Sequence, residues 1–359
     1  MKKLLCFGLL SLLLSIGCKE EIPTVPESPA VKQISRGADI SFLPEIEESG
    51  IQFYDQNGVA SSMVDIIKKY GVNTIRLRLW HTPENGHSGL REVSDFTKIL
   101  KAKGFKIFIT IHYSDTWADP GNQTKPSAWE NLSLSVLGDS VYNYTKQVVE
   151  ILNPDIIEIG NEISNGFLWP EGKISNESNF IMLLKKGIAG ARAATIDKRK
   201  ILIHSAKLDV SNWFYSILQT NNVDYDIIGV SYYPFWTKIK PQQAVDELMA
   251  LSNTFGKDAM FAEISYPFTL NWNDFTNNVI GLEEQLLTGY PATPAGQKLI
   301  LTELRQAIDK TNKGIGFCYW APEWVAFKGN QSTSGSSWEN LALFDFDNKA
   351  LPAWDAFKE

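Results

Sequence analysis

The feature that most constrains the fold of this chain is a rhythm. Eight short apolar runs recur along it, at 36–41 (RGADIS), 74–80 (TIRLRLW), 106–113 (KIFITIHY), 155–162 (DIIEIGNE), 200–205, 226–233, 259–266 and 314–320. Between them lie amphipathic stretches. Near 61–70, Met63, Ile66, Ile67 and Tyr70 share one helical face and Gly71 ends the run. Further helices are predicted at about 91–103, 133–152, 179–195, 212–219, 242–254 and 295–310, with a short last one at 353–357. Apolar strands alternating with helices specify a parallel sheet covered by helices. Eight such units without a break in composition specify an α/β fold, a single (β/α)8 TIM barrel over 34–359. The runner-up is an open doubly wound sheet, but no Gly-rich phosphate loop follows the first strand.

The segment ahead of the barrel reads as targeting rather than fold. Met1-Lys2-Lys3 is a basic start, and the apolar run at 4–16 is too short to span a bilayer as a stable helix. Gly17-Cys18 follows, as in a bacterial lipoprotein signal, so 1–17 is expected to be removed and Cys18 lipidated, with ordinary secretion and cleavage nearby as the alternative. Residues 18–33, with Pro23, Pro26 and Pro29, read as a flexible tether. The expected location is the outer membrane, at the cell surface. Of the three cysteines only Cys318 then remains in the barrel, which excludes disulfides and a cysteine metal site. The net charge of −7 and the lack of a basic stripe argue against nucleic acid. Eleven tryptophans, many beside Asp, Asn or Gly, suit stacking on the apolar faces of sugars. A monomer is expected.

A barrel of this kind carries its site at the C-terminal strand ends. Those ends bring together Asp39 and Ser41; Arg76, Arg78 and Trp80; His112, Tyr113 and Asp115; Asn161 and Glu162; Tyr232 and Tyr233; Glu263; and Trp320. Glu162 and Glu263 are the two strand-end glutamates of that set, and a pair of carboxyls flanking a glycosidic bond is the minimum for glycoside hydrolysis. One must be protonated and the other ionised. Asp39, Arg76 and Arg78 supply charges to hold Glu263 as an anion. The arginines share one strand face, where each needs a carboxylate partner. A metal reading has less behind it, because His112 has no second strand-end His to join it. A serine nucleophile lacks the G-x-S-x-G elbow.

The blocks RGADISF, TIRLRLW, HYSDTWADPGNQTKPSAW, IGNEISNGFLWPEG, AEISYP and YWAPEW occur in this order from residue 34 onward. They resemble the successive blocks of the family 53 glycoside hydrolases, the endo-β-1,4-galactanases of clan A. The resemblance implies a (β/α)8 barrel that cleaves β-1,4-galactan, the galactose side chains of pectin, with retention. It implies Glu162 as acid/base, Glu263 as nucleophile and Asn161 as holder of the sugar 2-hydroxyl. Arg76 or Arg78, His112 and Tyr232 would orient the glutamates, and Trp320 would floor the site. Asp115, Trp117, Asp119, Trp129 and Trp169 would line the groove. Bacterial members often carry a calcium loop after the seventh strand. Here Asn273 and Phe275 depart from the Asp and His of that pattern, so no cofactor is expected, although Asp274 and Asn277 leave calcium open. Two alternatives stand beside this reading. Another clan A β-glycanase, a mannanase or xylanase, would share the glutamates but not the WADPGNQTKPSAW loop. A non-catalytic surface glycan-binding barrel would not need both.

Overall fold

The computed structural model describes residues 33–194 and 199–358. The expected signal segment, Cys18 and the tether up to residue 32 lie outside them. The described residues form one compact unit. Its strands are β1 (Ser35–Asp39), β2 (Thr74–Leu79), β3 (Lys106–Ile111), β4 (Ile156–Ile159), β5 (Lys200–Ser205), β6 (Ile227–Tyr232), β7 (Asp258–Ile264) and β8 (Gly314–Tyr319). Each pairs in parallel with its chain neighbours, and β1 closes on β8. The eight expected strands are therefore the eight staves of a closed (β/α)8 barrel.

Besides the short helices Leu43–Glu48 and Pro234–Thr237, the intervening helices are α1 (Met63–Lys69), α2 (Leu90–Ala102), α3 (Leu134–Leu152), α4 (Glu177–Ala193), α5 (Leu208–Thr220), α6 (Pro241–Phe255) and α7 (Pro294–Asp309). Local chemistry starts and stops them. Ser62 accepts the Asp65 amide at the head of α1, and Thr293 accepts the Gly296 amide ahead of Pro294 in α7. The last predicted helix is a 3-10 turn, Pro352–Phe357. A hairpin, Phe53–Tyr54 with Ala60–Ser61, was not foreseen, because two-residue strands carry no periodic signal.

The barrel interior is layered. At the N-terminal end Phe108, Ile156, Leu202, Ile227 and Met260 fill the bore with apolar side chains. Two residues further along β4 and β5 stand Glu158 and His204, and Arg76 of β2, level in register with Phe108, joins them, all three essentially without solvent contact. The Arg76 guanidinium lies 5.4 Å from the centre of the Phe108 ring. The apolar floor thus underlies a polar layer, and the polar layer underlies the mouth.

Candidate active site

Arg76 is the hub of the polar layer. A guanidinium has five N–H donors in a fixed fork. Its Nη1 donates to Asp39 Oδ2 (2.9 Å) and Glu263 Oε1 (2.8 Å). Its Nε and Nη2 grip Glu158 at 3.1 Å, and Nη2 also reaches Asn161 Oδ1 at 2.7 Å. Burial disfavours the Arg76 charge, but the charges of Glu158, Glu263 and Asp39 outweigh it and the cation is held firmly. Asp39 differs: burial pushes its carboxyl up despite Arg76 and the Ser41 hydroxyl.

The two glutamates meet different surroundings. Glu263 comes inward through a bulge. Val230 pairs with Phe261 and the next residue, Ser231, pairs with Glu263, so β7 has one residue more than β6 at this point. The β8 register slips there too, from Phe317–Phe261 to Tyr319–Ile264. Bulges of this kind re-aim a side chain beside active sites. Each Glu263 oxygen then has a donor: Arg76 on Oε1 and the Tyr233 hydroxyl on Oε2 at 2.6 Å.

Glu162 follows β4 in a left-handed turn, with φ of 76° at Gly160 and 50° at Glu162. Its Oε1 accepts the Ser231 hydroxyl at 2.6 Å. The side chain opens partly to the cavity but is otherwise enclosed by protein. That removal from bulk water, and then the charge of Glu263, push its carboxyl up to about 7. Ser231 in turn is bonded to His204 Nε2 (2.9 Å), and His204 Nδ1 to Glu158 Oε1 (2.8 Å).

Around them lies a cavity of about 740 Å³, walled by Trp117, Trp236, Trp320, Trp324 and Trp338. The Trp320 ring packs edge-on against Trp338, Trp324 and Trp117, with centroids 4.7, 5.8 and 6.1 Å away. Asp39, Arg76, Arg78, His112, Asp119, Asn161, Glu162 and Glu263 also line it. His112 accepts the Trp80 indole N–H and the Ala118 amide on Nδ1, and burial with Arg78 and Arg76 nearby keeps it neutral. Its Nε2–H is therefore the face turned to the cavity.

Several expected roles move elsewhere. Tyr232 does not touch a glutamate: its hydroxyl bonds the Ile239 carbonyl at 2.7 Å, because strand alternation points it outward and its neighbour Tyr233 inward. Arg78 does not pair with Glu263. It is wedged 4.3–4.4 Å from the Phe42, Trp80 and Trp117 ring centres and bonds Ser88, and burial brings it down to about 10. Asp115 ties two loops, accepting from the Thr82 amide and from Ser127. Trp129 is buried against His81, Tyr113 and Tyr144. Trp169 stacks under Lys173 and bonds the Asn165 carbonyl, and is not among the residues that line the cavity. A second His does stand by a strand end, contrary to expectation: His204, one residue before the end of β5, bonds Glu158 and Ser231. The missed residues Glu158, His204 and Ser231 do carry a signal: a polar residue at alternate positions of an otherwise apolar strand. Trp236, Trp324 and Trp338 were missed because loop paths decide which aromatics return to the mouth.

The carboxyls of the loop after β7 are largely taken up by backbone amides. Asp274 Oδ1 takes the Thr276 amide and Oδ2 the Ser336 amide, while Glu339 Oε1 takes the Asn273 and Asp274 amides. A Cβ on Gly335 would fall 2.0 Å from Asp274 Oδ2, so backbone fills the space beside that oxygen. The side-chain oxygens around this loop left without a partner are Glu339 Oε2, Asn278 Oδ1 and Asn340 Oδ1, fewer than the six or so that calcium takes. Among the described residues no group of three acidic, His or Cys side chains is placed to hold a metal.

A closed parallel barrel with two carboxyls at the C-terminal ends of β4 and β7, one drawn toward its neutral form and the other gripped by a cation, is the architecture of a glycoside hydrolase. The profile of glycosyl hydrolase family 53 matches residues 35–357. The chain is 34% identical to the arabinogalactan endo-β-1,4-galactanase of Cellvibrio japonicus, over 90% of either chain. It is 35% identical to a probable arabinogalactan endo-β-1,4-galactanase A of Neosartorya fischeri, over 86% of this chain and 88% of that one. The solved catalytic domain of the family 53 protein of Ignisphaera aggregans superimposes with a TM-score of 0.85 at 36% identity, covering 94% of this chain and 98% of that one. The chain belongs to glycosyl hydrolase family 53.

Proposed function

We propose that this protein is an endo-acting β-1,4-galactanase that works by a two-glutamate double displacement on the galactan side chains of pectin. The observation that carries the proposal is the asymmetry of the pair. Glu162 has a carboxyl pushed up to about 7 and its Oε2 free toward the cavity, as a general acid needs. Glu263 has a donor on each oxygen, as suits a carboxylate nucleophile. In the first step Glu162 gives its proton to the glycosidic oxygen. The bond from that oxygen to the anomeric carbon breaks as Glu263 attacks the carbon from the opposite face. In the second, Glu162 takes a proton from water, and the water oxygen displaces Glu263.

The neighbours suit these steps. Asn161 Oδ1 is occupied by Arg76 and one Nδ2 hydrogen by the Ala118 carbonyl, which leaves one N–H for a sugar hydroxyl. Trp320 offers a ring under the cleaved sugar. The names of the Cellvibrio and Neosartorya relatives support galactan as the polymer. By the same reading Cys18 is the lipidated N-terminus of an exported monomer held at the cell surface, supported by the apolar run before Gly17-Cys18. No cofactor enters either step.

The test is a time course on linear β-1,4-galactan beside mannan and xylan. Early mixed oligosaccharides from galactan alone are expected. Cleavage of mannan or xylan instead, or binding without cleavage, overturns the proposal. Glu263→Ala should abolish turnover and keep galactan binding.

A further inference from the structure

The β5 histidine lies one residue from the end of its strand, and the two steps above do not use it. We propose that His204 is a positioning residue which, as an imidazolium acting through Ser231, confines the transferable proton of Glu162 to the oxygen that faces the cavity. The proposal rests on the reading of Glu162 as acid/base.

Donor counting carries it. Glu158 Oε1 lies 2.8 Å from His204 Nδ1, and that carboxylate is already fixed by three contacts from Arg76. An ionised carboxylate only accepts, so Nδ1 carries a hydrogen. His204 Nε2 lies 2.9 Å from Ser231 Oγ, and the same oxygen lies 2.6 Å from Glu162 Oε1. The hydroxyl has one hydrogen, so the two contacts constrain each other. If Nε2 carries a hydrogen, Ser231 accepts from it and must donate to Glu162. Oε1 is then always an acceptor, and the acid proton can reside only on Oε2, the side where a glycosidic oxygen would lie. If Nε2 were bare, Ser231 would donate to the ring and draw the Glu162 proton onto Oε1, out of reach of substrate. The useful polarity therefore requires both ring nitrogens to be protonated.

The surroundings favour that state. His204 and Glu158 have no solvent contact and Ser231 has 1%. Burial disfavours a charged ring, but the Glu158 charge and hydrogen bond, with Glu263 and Glu162, outweigh it and the imidazole is pushed up. The other groups facing this cluster are Arg76 from β2 and His112 from β3, the latter held neutral partly by the His204 charge. From α5 the Tyr215 hydroxyl is spent on the Ile203 and Gly229 carbonyls. Glu158 is anchored rather than free to follow its proton, so the chain from Arg76 to Glu162 has one direction.

The experiment is NMR on the full-length enzyme, with two readouts that need no substrate. Correlation of the His204 ring nitrogens with their protons should show both protonated at neutral pH; a neutral ring overturns the proposal. The Glu162 carboxyl, assigned by its loss in Glu162→Gln, is titrated by carbon shift in Ser231→Ala, Ser231→Thr and His204→Gln. Loss of the cation or of the link removes an influence that favours ionised Glu162. In Ser231→Ala and His204→Gln its midpoint should rise, by about one pH unit. Ser231→Thr should titrate like the wild type. An unchanged or lowered midpoint in Ser231→Ala overturns the proposal, and that variant keeps the Arg76–Glu158–His204 cluster should His204→Gln fail to fold. On galactan the alkaline limb of kcat/KM should move with the midpoint, and kcat should fall about tenfold or more. Wild-type enzyme that does not cleave galactan would defeat the functional reading while leaving both NMR results to stand or fall alone.

Discussion

Tyr233 holds the Glu263 oxygen that Arg76 does not reach, and it does so from a ring packed between Phe235 and Trp236. Tyr233→Phe keeps the ring and deletes one hydrogen bond to a charged group. Such bonds are worth about 1.5–3 kcal/mol, so kcat/KM should fall by roughly tenfold to a hundredfold with little change in melting temperature. A wild-type rate would show that Arg76 alone holds Glu263. Glu162 sets a pH dependence. Its carboxyl must be protonated to act as acid, so kcat/KM should fall as pH rises past about 7. Stability follows the same group. The folded carboxyl titrates near 7 and its ordinary value is 4.5, so folding takes up a proton between them. Stability should therefore decline as pH rises through that window. Urea melts at about pH 5 and about pH 8 should show a smaller decline in Glu162→Gln than in the wild type.

At the scale of elements, two backbone departures place the pair. The turn after β4 needs Gly160, whose φ is 76° and whose missing Cβ would lie 2.5 Å from Ile163 Cγ2. Gly160→Ala should cost on the order of 1–2 kcal/mol from the left-handed backbone alone, more if Ile163 cannot yield. It should also lower kcat more than it raises KM, because it tilts Glu162; a kcat loss no larger than that of a surface variant would refute this. The other departure is the β7 bulge. The strands themselves were legible because apolar periodicity reports burial directly. The bulge was not, because it changes which face a residue takes without changing any residue. Period-two alternation puts Met260 and Ala262 inside, and only the register against β6 and β8 shows that Glu263 joins them.

Across the molecule, one buried guanidinium joins β1, β2, β4 and β7 through Asp39, Glu158, Asn161 and Glu263. Arg76→Lys keeps the charge but offers three donors where five are used. Removing a partner from a buried ionic cluster typically costs about 3–5 kcal/mol. Urea denaturation of Arg76→Lys should show a loss of that order, with activity reduced together. A stability within error of the wild type would mean that the carboxyls shed their charge and need no guanidinium. Arg78 shows why sequence could not rank the two arginines. Both point inward from one strand, but β1 and β7 bring carboxylates to the lower position while Phe42, Trp80 and Trp117 surround the upper.

Sequence alone determined the barrel and its rim. Eight apolar runs can bury themselves in no simpler way than a closed parallel sheet, and that closure carries every strand end to one face. It also brought Asn161, Glu162, Glu263, His112 and Trp320 to that rim, since each lies at or just past the C-terminal end of a strand, although it did not fix the face that Glu263 takes. Only the tertiary structure decided what each group does at the mouth. The choice of Tyr233 over Tyr232, of Arg76 over Arg78, and of Glu158 with His204 as the support of Glu162 depends on register, on one bulge and on the paths of loops. Those are relations between segments distant in sequence, and hydrogen-bond partners and desolvation are properties of such relations rather than of any residue alone.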